Sequence, residues 1–166
     1  MNAKREIRSL GQSFRYAAAG FLCCIGSERN MRIHLSAFVL LSVFSYYYGL
    51  DRYEYLLFVL VCGLVLFAEM VNTAVEAIID LVSPSYQTLA KVAKDVAAGA
   101  VLLTAAVAVI IGIGLFSDID RLYAVAMLFW QAPIRLLIPV VLIPAALFFI
   151  FKGNGIVSKL HSKRKK

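Results

Sequence analysis

Charge is scarce in this chain. Charged residues make up 16% of the 166 positions, 61% are hydrophobic, and mean hydropathy is +0.82. Soluble domains carry about 25% charged and about 45–50% apolar residues. The polar skin a water-soluble fold needs is therefore missing, and the bilayer is the solvent that remains. Cysteine is sparse too. Cys23, Cys24 and Cys62 are odd in number and lack CxxC spacing. That excludes a disulfide scaffold and a zinc ribbon and leaves three small hydrophobes. There is no Walker A loop, no protein-kinase signature and no HExxH; Gly112-Ile-Gly114 lies in an apolar run with no lysine and reads as a helix-packing feature. Any nucleotide chemistry would need an unusual site. No cleavable signal peptide is expected, because Gln12, Arg15, Glu28 and Arg29 interrupt the apolar pattern after the basic start.

What is present is a set of long apolar runs. Four approach the ~20 residues of a spanning helix: 33–50, 55–79, 96–116 and 134–151. No barrel-like alternation occurs, so the spans are helical. The net charge of +7 sits beside these runs rather than in a patch that suits nucleic acid. With the N-terminus in the cytoplasm, 14 Lys and Arg fall inside and 3 (Arg52, Arg121, Arg135) outside, which predicts cytoplasmic termini and an even number of spans. Residues 4–26 read as a helix lying on the membrane, with Lys4, Arg5, Arg8 and Arg15 polar and Leu10, Phe14, Ala18, Phe21 and Leu22 facing lipid. The loop 118–132 reads as a second interfacial segment anchored by Trp130. Pro139 and Pro144 are expected to kink the last span, and the basic tail after Gly153 to be disordered. The expected fold is an all-α membrane protein with a surface helix and four transmembrane helices.

One feature of the second span stands out. Glu69, Asn72, Thr73, Glu76 and Asp80 are spaced i, i+3, i+4, i+7 and i+11, on one helix face. Before them, 55–68 carries no charge over 14 residues, which is about 21 Å of helix. The stripe therefore begins deep in the bilayer and runs to its cytoplasmic surface. Such a carboxylate costs roughly 2.5–3.5 kcal/mol at a helix centre. A structural polar seam is one explanation. The sharper one is a site for metal and proton transfer. Glu76 with a second carboxylate can hold a divalent cation, and a carboxylate at the interface can act as general base. After the Ser83-Pro84 break, Lys91 and Lys94 bring compensating cations, and Lys94 at a helix start suits a polyphosphate. Glu28, Arg29, Arg32 and His34 cluster at the same level. There Glu28 can complete a metal site and Arg32 can neutralise phosphate.

The runs 68–80 (AEMVNTAVEAIID) and 90–102 (AKVAKDVAAGAVL) closely resemble the bacterial membrane diacylglycerol kinase and undecaprenol kinase family, over roughly residues 8–116. The resemblance implies an ATP- and Mg2+-dependent lipid kinase of the bacterial plasma membrane. It implies a homotrimer of three-span protomers, each with a surface helix. It casts Glu69 as the base that activates the lipid hydroxyl, Asn72 as an orienting group, Glu28 and Glu76 as Mg2+ ligands, Lys94 as a contact to the ATP phosphates, and Asp95 as a contact to nucleotide or metal. The kinase core would end near residue 116, leaving 117–166 as an extracytoplasmic loop, an extra span without an assigned role, and a basic tail. Arg32-Ile-His34 is more similar to the undecaprenol branch, since His34 stands where the diacylglycerol branch carries an acid; diacylglycerol is the alternative acceptor. Two other classes compete. A small cation channel or transporter predicts conductance without lipid phosphate. A structural subunit predicts tolerance of Glu76→Gln.

Overall fold

The computed structural model describes residues 3–82 and 88–162, and the side chains of 10–82 and 88–153. The Ser83-Pro84 break, the Lys4, Arg5 and Arg8 side chains and the basic side chains from Lys159 onward lie outside the described set. Among the described residues every element is helical: α1 (Ala3–Ser27), α2 (Arg29–Tyr48), α3 (Arg52–Val82), α4 (Thr88–Leu115), α5 (Ile119–Gln131), a 3-10 turn (Pro133–Leu136) and α6 (Leu137–Ser162).

Three helical segments are long and apolar enough to cross a membrane: α3, α4, and Pro133–Gly153, which holds most of α6. α2 corresponds to the first expected span, yet it is not among them. Its 20 residues include Arg32, His34, Ser36, Ser42 and Ser45, which lower its hydropathy. The tail departs from expectation: α6 continues to Ser162 instead of ending in disorder after Gly153. Pro139 is the third residue of α6, where a missing N–H costs little. Only Pro144 lies in the interior of that helix.

Local chemistry explains the turns. α2 ends on Gly49 at φ 75°, a left-handed C-cap that glycine adopts without strain. Asp51 then starts α3. Its Oδ1 accepts from the N–H groups of Tyr53 (2.7 Å) and Glu54 (2.9 Å), and Glu54 Oε2 accepts from Asp51 N–H (2.8 Å), a reciprocal capping box. At α5, Asp118 Oδ1 accepts from the N–H groups of Asp120 (3.0 Å) and Arg121 (3.1 Å). Asp118→Ala removes this cap at a cost of about 1 kcal/mol. Amides 119–122 should then exchange hydrogen about fivefold faster in detergent, by mass spectrometry, while α3 exchange stays unchanged.

α3 and α4 form the most extensive helix pair. α1, α2 and α6 pack on one another beside it, around Cys24, Ile25 and Met31, with Phe21, Leu35, Leu66, Met70 and Phe149 packed against them. At the opposite end, Phe44, Tyr48, Phe58 and Phe116 form an aromatic cluster, with ring centroids 5.1–6.3 Å apart from Phe116. Arg121 ties α5 to this end: Nη1 donates to Glu54 Oε2 (2.8 Å), and the guanidinium lies 5.6 Å from the Tyr48 ring centroid. α5 shows Trp130 and Tyr123 on its open surface.

Candidate functional site

The acidic face of α3 turns toward the elbow between α1 and α2. Thr73 meets Cys24 across that junction, with Oγ1 3.2 Å from Sγ, and Thr73 also donates to Glu69 O (3.0 Å). Burial pushes the Cys24 thiol up, which keeps it protonated and unreactive. Glu69 is 1% exposed; it and Met31 are the largest fully buried side chains among the described residues. Neither carboxylate oxygen of Glu69 has a hydrogen-bond partner, and Asn72 Oδ1 is unpartnered as well. Asn72 Nδ2 donates to Glu76 Oε1 at 2.9 Å, one turn further along the stripe.

Glu28 sits at the elbow between α1 and α2. It is the N-cap residue of α2, at φ −100° and ψ 123°, yet its side chain makes no capping hydrogen bond. The carboxylate is therefore not committed to the helix it begins. Glu69, Asn72 and Glu76 thus share the face of α3 that meets the α1–α2 elbow, and the buried oxygens of Glu69 and Asn72 are left without donors. An uncompensated buried acceptor is costly, so the arrangement calls for a cationic or proton-donating partner.

The donor set is all oxygen, which suits a hard divalent cation. Among the described residues no three His, Cys, Asp or Glu side chains form a ready-made metal cage. Mg2+ does not require one. It is commonly held by one or two carboxylates together with substrate phosphates, and Glu28 and Glu76 fit that pattern.

The remaining expected residues are distributed differently. Lys94 is close to the stripe, but its Nζ is paired with Asp80 Oδ1 at the exposed end of the α3–α4 pair. Asp95 is exposed on the first turns of α4. Arg32 is not directed at the carboxylates. It is 2% exposed and donates to three backbone carbonyls. Sequence reasoning also missed the Cys24–Thr73 contact. A polar residue facing a thiol across two helices leaves no periodic signal.

A profile of the family described as prokaryotic diacylglycerol kinase matches residues 15–116, a stretch that contains every carboxylate of this cluster. The class is that of the membrane lipid kinases. The diacylglycerol kinase of Synechocystis sp. is 43% identical over 112 residues, covering 67% of this chain and 64% of that protein. The undecaprenol kinase of Bacillus subtilis is 33% identical over 113 residues, covering 68% of this chain and 92% of that protein. The diacylglycerol kinase of Escherichia coli is 30% identical over 106 residues, 64% of this chain and 84% of that protein. The matched stretch thus spans less than two thirds of the Synechocystis protein and nearly all of the Bacillus one. The chain belongs to the prokaryotic diacylglycerol kinase family. No solved structure matches it at significance.

Proposed function

We propose that this chain transfers the terminal phosphoryl group of ATP, taken as its Mg2+ complex, to the hydroxyl of undecaprenol at the cytoplasmic face of the bacterial plasma membrane. One observation carries the reading: Glu69 is a fully buried carboxylate with two unpartnered oxygens, on one face with Glu76 of a helix apolar enough to span the bilayer.

The chemistry is positioning plus charge neutralisation, as in other phosphoryl transfers. Glu69 accepts the proton of the lipid hydroxyl as that oxygen bonds to the γ-phosphorus. The bond from γ-phosphorus to the β,γ-bridging oxygen breaks, and ADP leaves with that electron pair. Asn72 holds Glu76 by its side-chain amide and orients the site. Glu28 and Glu76 hold the nucleotide's cation, which when bound neutralises phosphate charge. Lys94 contacts the phosphates, and Asp95 contacts the nucleotide or its metal. A lipid hydroxyl sits at headgroup level, where the stripe emerges.

The basic-residue count supports cytoplasmic termini. That orientation makes α2 a fourth span, and its 20 residues reach about 30 Å. We take the assembly to be a homotrimer, as the resemblance implies, with residues 1–116 as the kinase core.

A second acceptor has its own support. The 43% identical relative is a diacylglycerol kinase, whereas the relative covered over 92% of its length is an undecaprenol kinase. Purified chain in vesicles with labelled ATP, Mg2+ and either lipid separates the two. Undecaprenyl phosphate is the expected main product. A larger rate with diacylglycerol reverses the assignment. Cation conductance with no lipid phosphate from either acceptor defeats the kinase reading.

A further inference from the structure

Arg32 poses a physical problem that the catalytic cluster does not solve. A guanidinium at 2% exposure is costly unless its donors are met. Backbone carbonyls meet Nε and Nη1. Nη1 donates to Ile25 O (2.8 Å) and Gly26 O (3.3 Å), and Nε donates to Ile150 O (3.1 Å). The first two carbonyls belong to the last turn of α1, where helix carbonyls lack intrahelical donors and the dipole favours a cation. The third belongs to α6, 118 residues away.

α6 is shaped to meet this side chain. Gly153 is buried, and a Cβ there would come within 2.6 Å of Arg32 Cδ and 3.3 Å of Nε. Those atoms cannot swing aside, because three hydrogen bonds hold the group they carry. Phe149 packs against the Cys24–Ile25–Met31 cluster, and the Arg29 guanidinium lies 4.8 Å from the Phe151 ring centroid. All these contacts bear on the segment 25–32. Glu28 stands in its middle, with its N–H bonded to Cys24 O at 2.9 Å. α6 itself lies outside the matched stretch 15–116, and the Bacillus relative, already covered over 92% of its length, leaves little room for such a helix.

We propose that α6 is an intramolecular strap that positions Glu28, with Arg32 and Gly153 as its positioning residues. This rests on the reading of Glu28 as a ligand of the nucleotide's divalent cation. A ligand carried on a loose elbow must be ordered when the cation binds, and that ordering weakens affinity. Outer groups that hold metal ligands typically change metal affinity 10–100-fold.

The test uses the full chain in vesicles and two variants that loosen the strap from opposite sides. Gly153→Leu pushes α6 away without altering any charge. Arg32→Lys keeps the charge but loses the planar fork. Both should raise the Mg2+ concentration for half-maximal turnover about tenfold, with KM for the lipid alcohol within about twofold. Binding of Mn2+ in the presence of ADP, read from loss of the free-ion paramagnetic resonance signal, should weaken to match. Amide exchange over 25–32 should quicken in both variants.

Unchanged Mg2+ and Mn2+ dependence in either folded variant overturns the proposal. A shift in Arg32→Lys alone also overturns it, because Arg32 would then act on the phosphates directly. Loss of fold in Gly153→Leu transfers that arm to Gly153→Ala, for which a smaller shift in the same direction is expected and no shift counts against the strap. A wild-type chain that makes no phosphorylated lipid defeats the kinase reading instead, and the Mn2+ and exchange measurements still decide the strap.

Discussion

Replacing Glu69 with Gln should reduce lipid phosphorylation by about 10³-fold or more, while the protein inserts and assembles as before. Proton transfer by a positioned side chain contributes about 10²–10⁴-fold. Gln has the shape of Glu and cannot take the proton. The substitution is informative because its structural consequence runs the other way. Glu69 is a buried carboxylate with no partner for either oxygen, so neutralising it removes a desolvation penalty. Lost turnover would therefore not come from lost fold. The measurement is the initial rate of labelled phosphate transfer at saturating lipid and MgATP, beside size-exclusion elution and helical content. Near-wild-type turnover with an intact fold would remove Glu69 as the base.

Glu76→Gln should raise the Mg2+ requirement about 10–100-fold and lower kcat/KM for MgATP to match, with partial recovery at high Mg2+. An amide oxygen can still accept from Asn72 Nδ2, which now donates to Glu76 Oε1 at 2.9 Å. Packing and hydrogen bonding thus survive, and what disappears is one negative charge beside the phosphates. A polar seam that only holds helices together would tolerate the change, because it needs the hydrogen bond and not the charge. A Mg2+ titration of turnover decides between them, and a curve that overlays wild type favours the seam.

Much of the architecture can be read from the chain because it follows local rules. The stripe from Glu69 to Asp80 announces itself by helical spacing in a run that is otherwise uncharged. Asp51-Arg-Tyr-Glu54 marks the start of α3 by its capping chemistry. Glu28 follows the same logic, since its place just before α2 puts it at the elbow that meets the stripe's helix. Arg32 went astray for a physical reason. Beside a membrane span, an arginine normally reaches the interface, and here the end of α1 together with α6, 118 residues on, holds this one buried. No periodicity encodes the α6 part of that pocket, although the two α1 carbonyls it also meets are near in sequence. Gly153 likewise reads as a helix end until Arg32 is seen against it. The extension of α6 to Ser162 was missed because basic composition suggested a solvated tail.

The Asp80–Lys94 pair bears on how the resting protein handles its own electrostatics. Asp80 is 67% and Lys94 36% exposed, so the contact is an exposed ion pair of small worth. It still means that the lysine waits with a counter-anion at hand. An arriving polyphosphate would exchange one negative partner for another, and no bare cation would stand at the headgroup boundary between turnovers. Departure of ADP would be eased in the same way, since the aspartate remains within reach to reclaim the ammonium.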